Sequence, residues 1–485
     1  MIKFILNDQS IETDLPPGTT VLDFVRYHQN LKGTKIGCRE GDCGACAILV
    51  GELVGGSVRY RSMTSCLMPL ANAAGKHIVT VEGINPEDGS LTPVQQALVD
   101  ESGTQCGFCT VGFVMSLTGF CADAVNDAQD VSRPHVSKGS SELAISAVDG
   151  NICRCTGYKS IERAAEQICR QLASGIERFI PDYFETIPGR LSGLPNGDRH
   201  PPTGNRQLLV GGGTDVYVQK PDAMVERNGS HLFYDDQLRT IRDTGEVIEV
   251  GASVTVTDLL ESRVMQSIFP DLYKHLKLVS STPIRNMATL AGNFVNASPI
   301  GDMTVWFLAL NSEIILNTGR EMLLRKLYLD YKKLAMEEGE FITTIRFKKP
   351  LSDFRFNFEK VCKRTYLDIA TVNTAASFRV EPSPGQSWIP PAIERRHVPR
   401  GEPSIDYFIT DAHVAAGGVA PVPLYMKETS SFLIGRYANE ETIEKANEII
   451  QAEIAPISDV RGSEEYKRLL LTQLFRAHFM ELFGI

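Results

Sequence analysis

The first residues of the chain alternate between apolar and polar side chains, as strands do. Apolar residues occupy every second position of the segment 2–6, and Asn7-Asp8 predicts a turn into a return strand. Thr19 or Thr20 can cap a short helix, because a run of apolar residues follows directly. These features predict a small mixed sheet with one helix over about the first eighty residues.

From Thr92 onwards the apolar spacing changes to the helical period. Thr92, Pro93 and Gln95 form a predicted capping box with proline in the first turn. The spacing predicts helices at about 93–101, 110–121, 141–148 and 160–174. The polar stretch 122–140 lacks periodicity, so we expect a loop inside this helical domain.

The second half of the chain predicts short strands alternating with helices. A stretch rich in Pro, Gly and Arg at 186–206 is typical of a surface linker. Strands are predicted at 207–210 and 247–250, and helices alternate with such strands to about residue 350. The last part, 353–485, begins with strands and contains a proline-rich excursion at 381–404.

The carboxyl end predicts two amphipathic helices, and we find no internal repeat. Their apolar faces are Ile443, Ala446, Ile450 and Ile454 in one helix, and Tyr466, Leu470, Leu474 and Ala477 in the other. We expect both faces to be ordinary core.

Composition narrows the class of protein. The 485 residues suggest three or four domains, and the net charge of −10 argues against a nucleic-acid-binding surface. No window is apolar enough for a membrane helix, and the amino terminus does not have the pattern of a signal peptide. We therefore expect a cytoplasmic protein, in which the eleven cysteines are ligands rather than disulfide partners.

The first four clustered cysteines have the spacing of a plant-type ferredoxin. Cys38, Cys43 and Cys46 follow C-x4-C-x2-C in a glycine-rich loop, and Cys66 comes twenty residues later. Glycines in this loop would allow positive φ angles and bring N–H groups close to the sulfurs. Free buried thiols or a structural zinc site are the alternatives, but zinc usually takes two separated C-x2-C pairs. We therefore predict a [2Fe–2S] cluster.

A second set of four cysteines lies in the helical region. Cys106 and Cys109 form C-x2-C within GTQCGFCTVGF, and Cys153 and Cys155 form C-x-C within GNICRCTGY. Each pair precedes a predicted helix, whose amino end favours an anionic thiolate cluster. Taken alone, these four thiols could also hold zinc.

Both sets together resemble the iron–sulfur part of the xanthine dehydrogenase/aldehyde oxidase family of molybdenum hydroxylases. The QCGFC and CRCTGY runs are motifs of that family, and the resemblance implies a second [2Fe–2S] cluster on the second set. The 43 residues between Cys109 and Cys153 exceed the family's usual length, which suggests an inserted surface loop at 122–140. Cys121, Cys169 and Cys362 are interpreted as ordinary small apolar residues.

Two polar, glycine-containing stretches resemble the family's FAD-binding domain. One is the strand and glycine triplet LLVGGGTDV, which does not fit G-x-G-x-x-G and could be only a tight turn. The other is ATLAGNFVNASPIGD, which alone predicts a turn-rich connection. The FAD contacts that the resemblance implies are Leu209, Val210, Gly211, Gly212, Gly213, Thr214, Asp215, Val216, Thr289, Leu290, Ala291, Gly292, Asn293, Asp302, Ile342 and Lys360.

Three further sites concern the NAD, flavin and molybdenum centres of the family. Tyr331-Lys332 matches a tyrosine–basic pair near the family's NAD site, although a half-buried aromatic is an equally good interpretation of Tyr331. Leu367-Asp368 replaces the two adjacent acidic residues that the family often has near the flavin ring. Gln105 matches a position that contacts the pterin of the molybdenum centre, and a hydrogen bond at the helix start is the alternative.

The resemblance covers nearly the whole chain and implies a multidomain α+β protein. We expect a ferredoxin-like β-grasp [2Fe–2S] domain, a four-helix [2Fe–2S] domain, an α+β FAD-binding domain and an α+β C-terminal flavoprotein domain. Their predicted bounds are 1–85, 86–180, 207–352 and 353–485, with a linker at 181–206.

The function that the resemblance implies is electron transfer within a split bacterial enzyme. Electrons would pass from a large molybdenum-cofactor partner through the second cysteine set, the first cysteine set and FAD to NAD⁺. The partner would oxidise hypoxanthine and xanthine, and the assembly would be an (αβ)2 heterotetramer without nucleic acid or membrane. A related aldehyde or N-heterocycle hydroxylase and a non-catalytic electron carrier or redox sensor remain alternatives.

Overall fold

The computed structural model describes residues 1–127, 141–175, 179–194, 208–226, 229–364, 366–382 and 407–485. Three predicted connections lie partly outside these ranges. They are the loop 122–140 after residue 127, the linker 181–206 after Leu194, and the proline-rich excursion 381–404 after residue 382. The chain divides into two compact units. The first unit is Met1–Asp235 with Ser280–Ala288, and the second is Asp236–Val279 with Thr289–Ile485.

The strands in the described ranges are β1 Ile2–Leu6, β2 Gln9–Thr13, β3 Ala47–Val54, β4 Ser57–Thr64, β5 His77–Val79, β6 Leu208–Val210, β7 Gly229–His231, β8 Ile241–Asp243, β9 Val247–Gly251, β10 Glu313–Leu316, β11 Glu321–Leu323, β12 Tyr328–Asp330, β13 Lys333–Leu334, β14 Ile342–Lys348, β15 Phe354–Val361, β16 Val372–Pro382, β17 Tyr407–Gly417, β18 Leu424–Tyr425 and β19 Arg436–Tyr437.

The α-helices there are α1 Val21–Asp23, α2 Pro93–Asp100, α3 Thr110–Asp127, α4 Ser141–Ala147, α5 Lys159–Ala173, α6 Ile187–Ser192, α7 Val216–Gln219, α8 Pro221–Glu226, α9 Val256–Glu261, α10 Arg263–Ile268, α11 Leu272–Leu276, α12 Thr282–Arg285, α13 Leu290–Asn296, α14 Asp302–Leu308, α15 Lys427–Leu433, α16 Glu440–Glu453 and α17 Glu464–Phe483. Among the described residues, no helix combines the length and apolar character that crossing a membrane requires.

The first unit begins with the predicted mixed sheet. Its strand order is β2-β1-β5-β3-β4, with β1 and β5 parallel and the other neighbours antiparallel. Asn7 makes the turn between β1 and β2 with a φ of 52°. Thr20 caps α1 by accepting a hydrogen bond from the N–H of Asp23, as predicted. A π-helical turn, Phe24–His28, follows directly.

The helical part of the first unit matches the predicted helices closely, with one correction. The Thr92 capping box is present, with the Gln95 side chain returning to the threonine N–H. The third helix, α3, continues to Asp127, so the segment 122–127 is helical and not part of a loop. The start of this extension is part of the core through Ala122 and Ala124, and the sequence pattern hid it because these small side chains alternate with polar residues and make no clear apolar stripe.

A segment from the second half of the chain returns to the first unit. Strand β6 pairs in parallel with β7, and α12 lies in the returning stretch Ser280–Ala288. Arg285 donates to Asp149 at 2.6 Å in a buried ion pair, and the N–H of Thr282 donates to the same carboxylate at 2.6 Å. This contact fixes α12 beside the segment that precedes Cys153.

The second unit is built on two five-stranded sheets. One has the order β11-β10-β14-β9-β8, and the other is β15-β16-β17-β18 with β19 paired to β17. Helices α16 and α17 bury apolar side chains against the second sheet. The predicted face of α16 is confirmed, because Ile443, Ala446 and Ile450 are completely buried there and Ile454 follows them.

The predicted face of α17 is confirmed in part. Leu474 is buried in the core and Leu470 packs against it. Tyr466 is exposed, whereas Lys467, Leu471 and His478 are buried one position further along the helix than the residues predicted. Lys467 tolerates burial because its ammonium donates to the carbonyl of Ile457 and pairs with a carboxylate. A shift of one residue rotates the face by about 100°, and sequence periodicity missed it because two of the buried residues are polar.

A buried polar network joins α11, β15, β16 and α17. Asn357 lies between His275 Nε2 at 3.2 Å and His478 Nδ1 at 3.1 Å, and His478 Nε2 contacts Thr374 at 3.3 Å. Burial lowers the pKa of His275 to about 4 and that of His478 to about 3. Both imidazoles are therefore neutral in the native second unit at neutral pH.

These histidines predict a loss of stability in weak acid. Below pH of about 6.5 the unfolded chain binds protons on both imidazoles, whereas the folded chain does not until near pH 4. The free energy of unfolding of the second unit should therefore fall by about 2 kcal/mol between pH 7 and pH 5.5. Denaturant titrations followed by fluorescence of the buried Trp306 measure this change.

Replacing one histidine supplies the control. His275→Gln should reduce the pH dependence by about half, while the exposed His28→Gln should leave it unchanged. Equal pH dependence in all three proteins would contradict the assignment to the buried imidazoles.

Candidate iron–sulfur and flavin sites

The loop that carries Cys38, Cys43 and Cys46 lies between the π-helical turn and β3, and Cys66 follows β4. Gly41 and Gly44 have φ angles of 81° and 67°, so the predicted left-handed positions are present. The N–H of Glu40 points to Cys38 Sγ at 3.3 Å, and the N–H of Cys38 points to Cys43 Sγ at 3.4 Å. Backbone N–H groups therefore surround the sulfurs, as cluster-binding loops require.

The four thiols of the first set lie as two pairs. A hydrogen bond from the Cys43 thiol lowers the pKa of Cys38 to about 5. A hydrogen bond from the buried Cys66 thiol lowers the pKa of Cys46 in the same way. Each pair favours a thiolate, the form that binds metal, on one of its sulfurs.

The second set also consists of two thiol pairs. Cys106 Sγ and Cys155 Sγ are 3.6 Å apart at the surface, and Cys109 interacts with the buried Cys153. Burial opposes ionisation of Cys153, but the hydroxyl and N–H of Thr156 both donate to its sulfur and lower its pKa. Sequence reasoning missed Thr156 as a partner of Cys153, and its place in the CRCTGY motif is the one signal that could have indicated it.

The paired arrangement fits a binuclear cluster better than a single ion. A [2Fe–2S] cluster takes four thiolates, two on each iron, and each cysteine set offers two separate pairs.

The three remaining cysteines differ in their surroundings. Cys121 and Cys169 are buried in the core of the helical domain, and burial raises the pKa of both thiols. Cys362 is half-buried at the end of β15, where its thiol donates to the carbonyl of Arg364. Only the first two match the interpretation as apolar core residues.

The predicted pyrophosphate loop, 209–216, lies in the first unit after β6. A Cβ at Gly212 would come within 1.7 Å of the Met287 carbonyl oxygen, and one at Gly213 within 2.6 Å of the Leu67 carbonyl oxygen. Within the described residues, the N–H groups of Gly212, Gly213 and Thr214 donate to no backbone carbonyl. Consecutive unpaired N–H groups suit an anion such as pyrophosphate, so the loop fits the predicted ligand.

The other predicted FAD residues lie in the second unit. Thr289 caps α13 by accepting from the N–H of Gly292 at 3.2 Å. Asn293 Oδ1 accepts from both the N–H and the hydroxyl of Thr304, which fixes the start of α14. Leu290 and Ile342 are buried apolar side chains. Contacts at the starts of α13 and α14 therefore account for Thr289 and Asn293 in the structure, and their contact with FAD stays a prediction.

Lys360 and Asp302 form a buried ion pair in the second unit. The ammonium lies 2.7 Å from Asp302 Oδ2 and 2.8 Å from the Leu278 carbonyl oxygen, and the Lys360 side chain is only 1% exposed. Asn373 donates to the other oxygen of Asp302 at 2.5 Å. A solvated surface lysine, the alternative to a flavin contact, is therefore excluded. Sequence reasoning missed Asn373, since nothing in the pattern of β16 marks it.

Four family models match the chain in its domain order. They are a 2Fe-2S iron-sulfur cluster binding domain at 4–72, a [2Fe-2S] binding domain at 80–166, an FAD binding domain in molybdopterin dehydrogenase at 203–350, and a CO dehydrogenase flavoprotein C-terminal domain at 402–482. The chain is thus a multidomain α+β protein with two [2Fe–2S] domains and an FAD domain. Its cofactors are two [2Fe–2S] clusters and FAD.

Curated relatives include two fungal enzymes from Emericella nidulans. A xanthine dehydrogenase is 28% identical over 91% of this chain and 36% of its own length. A nicotinate hydroxylase is 25% identical over 98% of this chain and 40% of its own length. The chain therefore spans less than half the length of these relatives. A solved CO dehydrogenase from Oligotropha carboxidovorans is 23% identical, with a TM-score of 0.49, over 57% of this chain and 90% of that one.

The buried ion pair yields a test of Lys360. Lys360→Met should lower the free energy of unfolding of the second unit by about 3–5 kcal/mol, because Asp302 stays buried without its cation. The double variant Lys360→Met/Asp302→Asn should recover most of this loss. Denaturant titrations, with FAD content measured in parallel, follow both effects.

A surface ion pair supplies the matched control. Lys349→Met breaks the partly exposed pair with Asp243 and should cost about 0–1 kcal/mol. If the double variant regains stability but still loses FAD, the charged pair acts on the flavin; if it regains both, the role of the pair is structural. A stable single variant would contradict the importance of the buried pair.

Proposed function

Because the chain carries the domains of the iron–sulfur and FAD portion of the molybdenum hydroxylase family, we propose that it is the electron-transfer subunit of a split bacterial xanthine dehydrogenase. A partner subunit with the molybdenum cofactor oxidises hypoxanthine and xanthine, and this chain delivers the electrons to NAD⁺. The thiol ligands imply a reducing compartment, the cytoplasm.

One observation carries the proposal: in the first unit, the second cysteine set contacts the first set, and the first set contacts the glycine loop. The exposed pair Cys106/Cys155 lies at one end of this series, and the pair that includes the buried Cys153 comes next. The N–H of Ile152 donates to the carbonyl of Cys43 at 3.0 Å, which links the two sets. Leu67, directly after Cys66, packs its carbonyl against Gly213 in the predicted pyrophosphate loop. This series supports the order second set, first set, FAD.

The cofactors explain why such a series is useful. A [2Fe–2S] cluster carries one electron at a time, while a flavin can collect two electrons and release them as a hydride. The protein's part is to hold the centres in order and to keep their thiolates bound. Hydride release suits NAD⁺ as the final acceptor.

Electrons enter at the exposed end of the second set. Phe108 and Tyr158 are 47% and 40% exposed beside the surface thiols, and Gln105 is exposed and makes no hydrogen bond within the described residues. Exposed aromatic side chains are typical of protein interfaces. We therefore assign this surface to the molybdenum-bearing partner, with an interface of about 2,000 Å² or more in an (αβ)2 assembly.

The acceptor end is assigned to the second unit. Tyr331 is 60% exposed and not half-buried, which leaves its ring accessible to a nicotinamide or adenine. Lys332 is held by hydrogen bonds to the carbonyl and side chain of Asn296. Asp368 accepts from both the backbone and side chain of Arg364, so this acidic side chain orders the loop near residue 366.

A second candidate differs only in the substrate of the partner. The nicotinate hydroxylase matches 98% of this chain, so an N-heterocycle hydroxylase with the same electron path has a specific observation in its favour. Purine and nicotinate oxidation by the purified complex separates the two. A carrier that never reacts with NAD⁺ is tested by NADH oxidation with an artificial acceptor, using this chain alone.

Metal analysis tests the cluster assignment. We expect about four iron and four acid-labile sulfide per chain, with one FAD. Cys43→Ser should abolish the spectroscopic signal of one cluster and leave that of the other intact. Cys121→Ser, at a buried thiol outside both sets, should retain both signals. If the protein contained zinc, and replacing Cys106 or Cys153 removed that zinc, the result would contradict the assignment of a [2Fe–2S] cluster to the second cysteine set.

The partner surface is tested by one charge at its centre. Phe108→Glu should weaken association with the molybdenum subunit at least about tenfold, since it places a charge in an apolar contact. Val54→Glu, at an equally exposed valine in the hairpin between β3 and β4, should have no effect. Size-exclusion chromatography of the reconstituted complex measures both. Undiminished association of Phe108→Glu, or purine-dependent NAD⁺ reduction by this chain alone, would overturn the assignment.

A further inference from the structure

The two cysteine loops of the first unit touch through their backbones. Ile152 lies directly before Cys153, and its N–H donates to the carbonyl of Cys43 at 3.0 Å. Cys43 and Cys153 belong to different cysteine sets. A single hydrogen bond therefore spans the gap between a predicted ligand of one cluster and the residue next to a ligand of the other.

Asn151 holds this contact in place from a buried position. Its side-chain nitrogen donates to the carbonyl of Gly44 at 3.2 Å, and its side-chain oxygen accepts from the hydroxyl of Ser116 on α3 at 2.9 Å. Its own N–H donates to the carbonyl of Val148 at 3.0 Å. One amide thus joins the first cysteine loop, the second cysteine loop and the helix that follows Cys109.

The close packing around Asn151 leaves no room for other side chains. A Cβ at Gly44 would lie 2.4 Å from the Asn151 nitrogen and 2.4 Å from the Gly150 carbonyl oxygen. A Cβ at Gly112 would lie 2.2 Å from the carbonyl oxygen of Gly44. The three segments therefore approach backbone to backbone, and Asn151 is the side chain built into their junction.

We propose that Asn151 is a positioning residue for electron transfer between the two clusters, acting through the hydrogen bond from Ile152 to Cys43. The inference rests on the proposed function, because it requires iron in both cysteine sets. One electron passes from the second set to the first, so that one cluster is oxidised and the other reduced. No bond forms or breaks in this step, and no proton moves.

The physical reason is that electronic coupling decays steeply with distance and most steeply across empty space. The bonds of Cys43, one hydrogen bond and the bonds of Ile152 and Cys153 form an unbroken route between the two sets. Loss of the Asn151 amide removes the side-chain hydrogen bond that ties the second loop to Gly44, whose carbonyl then keeps only the N–H of Ala47 from its own side of the contact. It also removes the buried partner of the Ser116 hydroxyl. Without the side chain that joins the loops, the hydrogen bond from Ile152 to Cys43 lengthens and the electron route weakens.

The experiment compares Asn151→Ala with Tyr60→Phe in the full chain. Tyr60 is a buried residue of β4 in the same unit, and its hydroxyl forms a hydrogen bond with His77 Nδ1 at 2.8 Å and with neither cysteine loop. Low-temperature EPR of the reduced protein measures the magnetic splitting between the clusters. Freeze-quench EPR after mixing with substoichiometric reductant measures how quickly one electron redistributes. Iron content and thermal unfolding are measured on the same samples.

Asn151→Ala should lose the splitting and slow the redistribution about tenfold or more, since ångström-scale displacements have effects of that order, while iron content stays at the wild-type level. Tyr60→Phe should also lower thermal stability, because it removes a buried hydrogen bond, and should change neither signal. If Asn151→Ala does not fold, Ser116→Ala should show the same change in smaller degree.

Wild-type splitting and rate in Asn151→Ala and Ser116→Ala would overturn the inference, as would equal losses in Tyr60→Phe. Absence of iron from the wild-type protein would overturn the proposed function as well, so the two failures are distinct.

Discussion

The contact between the two cysteine loops is the constraint on which the first unit depends. The β-grasp sheet and the helical domain each position one loop, and the hydrogen bonds from Ile152 to Cys43 and from Asn151 to Gly44 fix one loop against the other. Neither loop has secondary structure of its own at this point. Their relative position therefore follows from the elements at both ends: β3 after the first loop, and α3 and α5 beside the second.

The returning segment Ser280–Ala288 reinforces the same junction from a distant part of the sequence. Arg285 and Thr282 both bind Asp149, two residues before Asn151. A buried ion pair with additional hydrogen bonds tolerates the loss of either partner poorly. The stability of the second cysteine loop thus depends on residues far from it in the chain.

The second unit uses buried polar groups for a different purpose. Its ion pair between Lys360 and Asp302, with Asn373, connects β15, α14 and β16, and the network of His275, Asn357 and His478 ties α11 and α17 to the second sheet. Polar networks of this kind specify one packing of helices on a sheet because every other packing leaves a buried group unsatisfied. For a flavin domain, such rigidity preserves the shape of the cofactor's surroundings during repeated reduction and oxidation.

The sequence alone determined the elements and the chemistry of the cysteine sets. Local rules suffice for the Thr20 and Thr92 caps, the helices that begin at Pro93 and Thr110, and the spacing of Cys38, Cys43 and Cys46, because each depends on neighbours within a few residues. Only the tertiary structure decided which thiols pair, that Asn151 joins the two loops, that Lys360 is buried against Asp302, and that α17 buries Lys467 and His478. These features depend on partners tens or hundreds of residues away. Such partners can satisfy the hydrogen bonds of a buried polar residue, and in the sequence that residue looks the same as one that faces water.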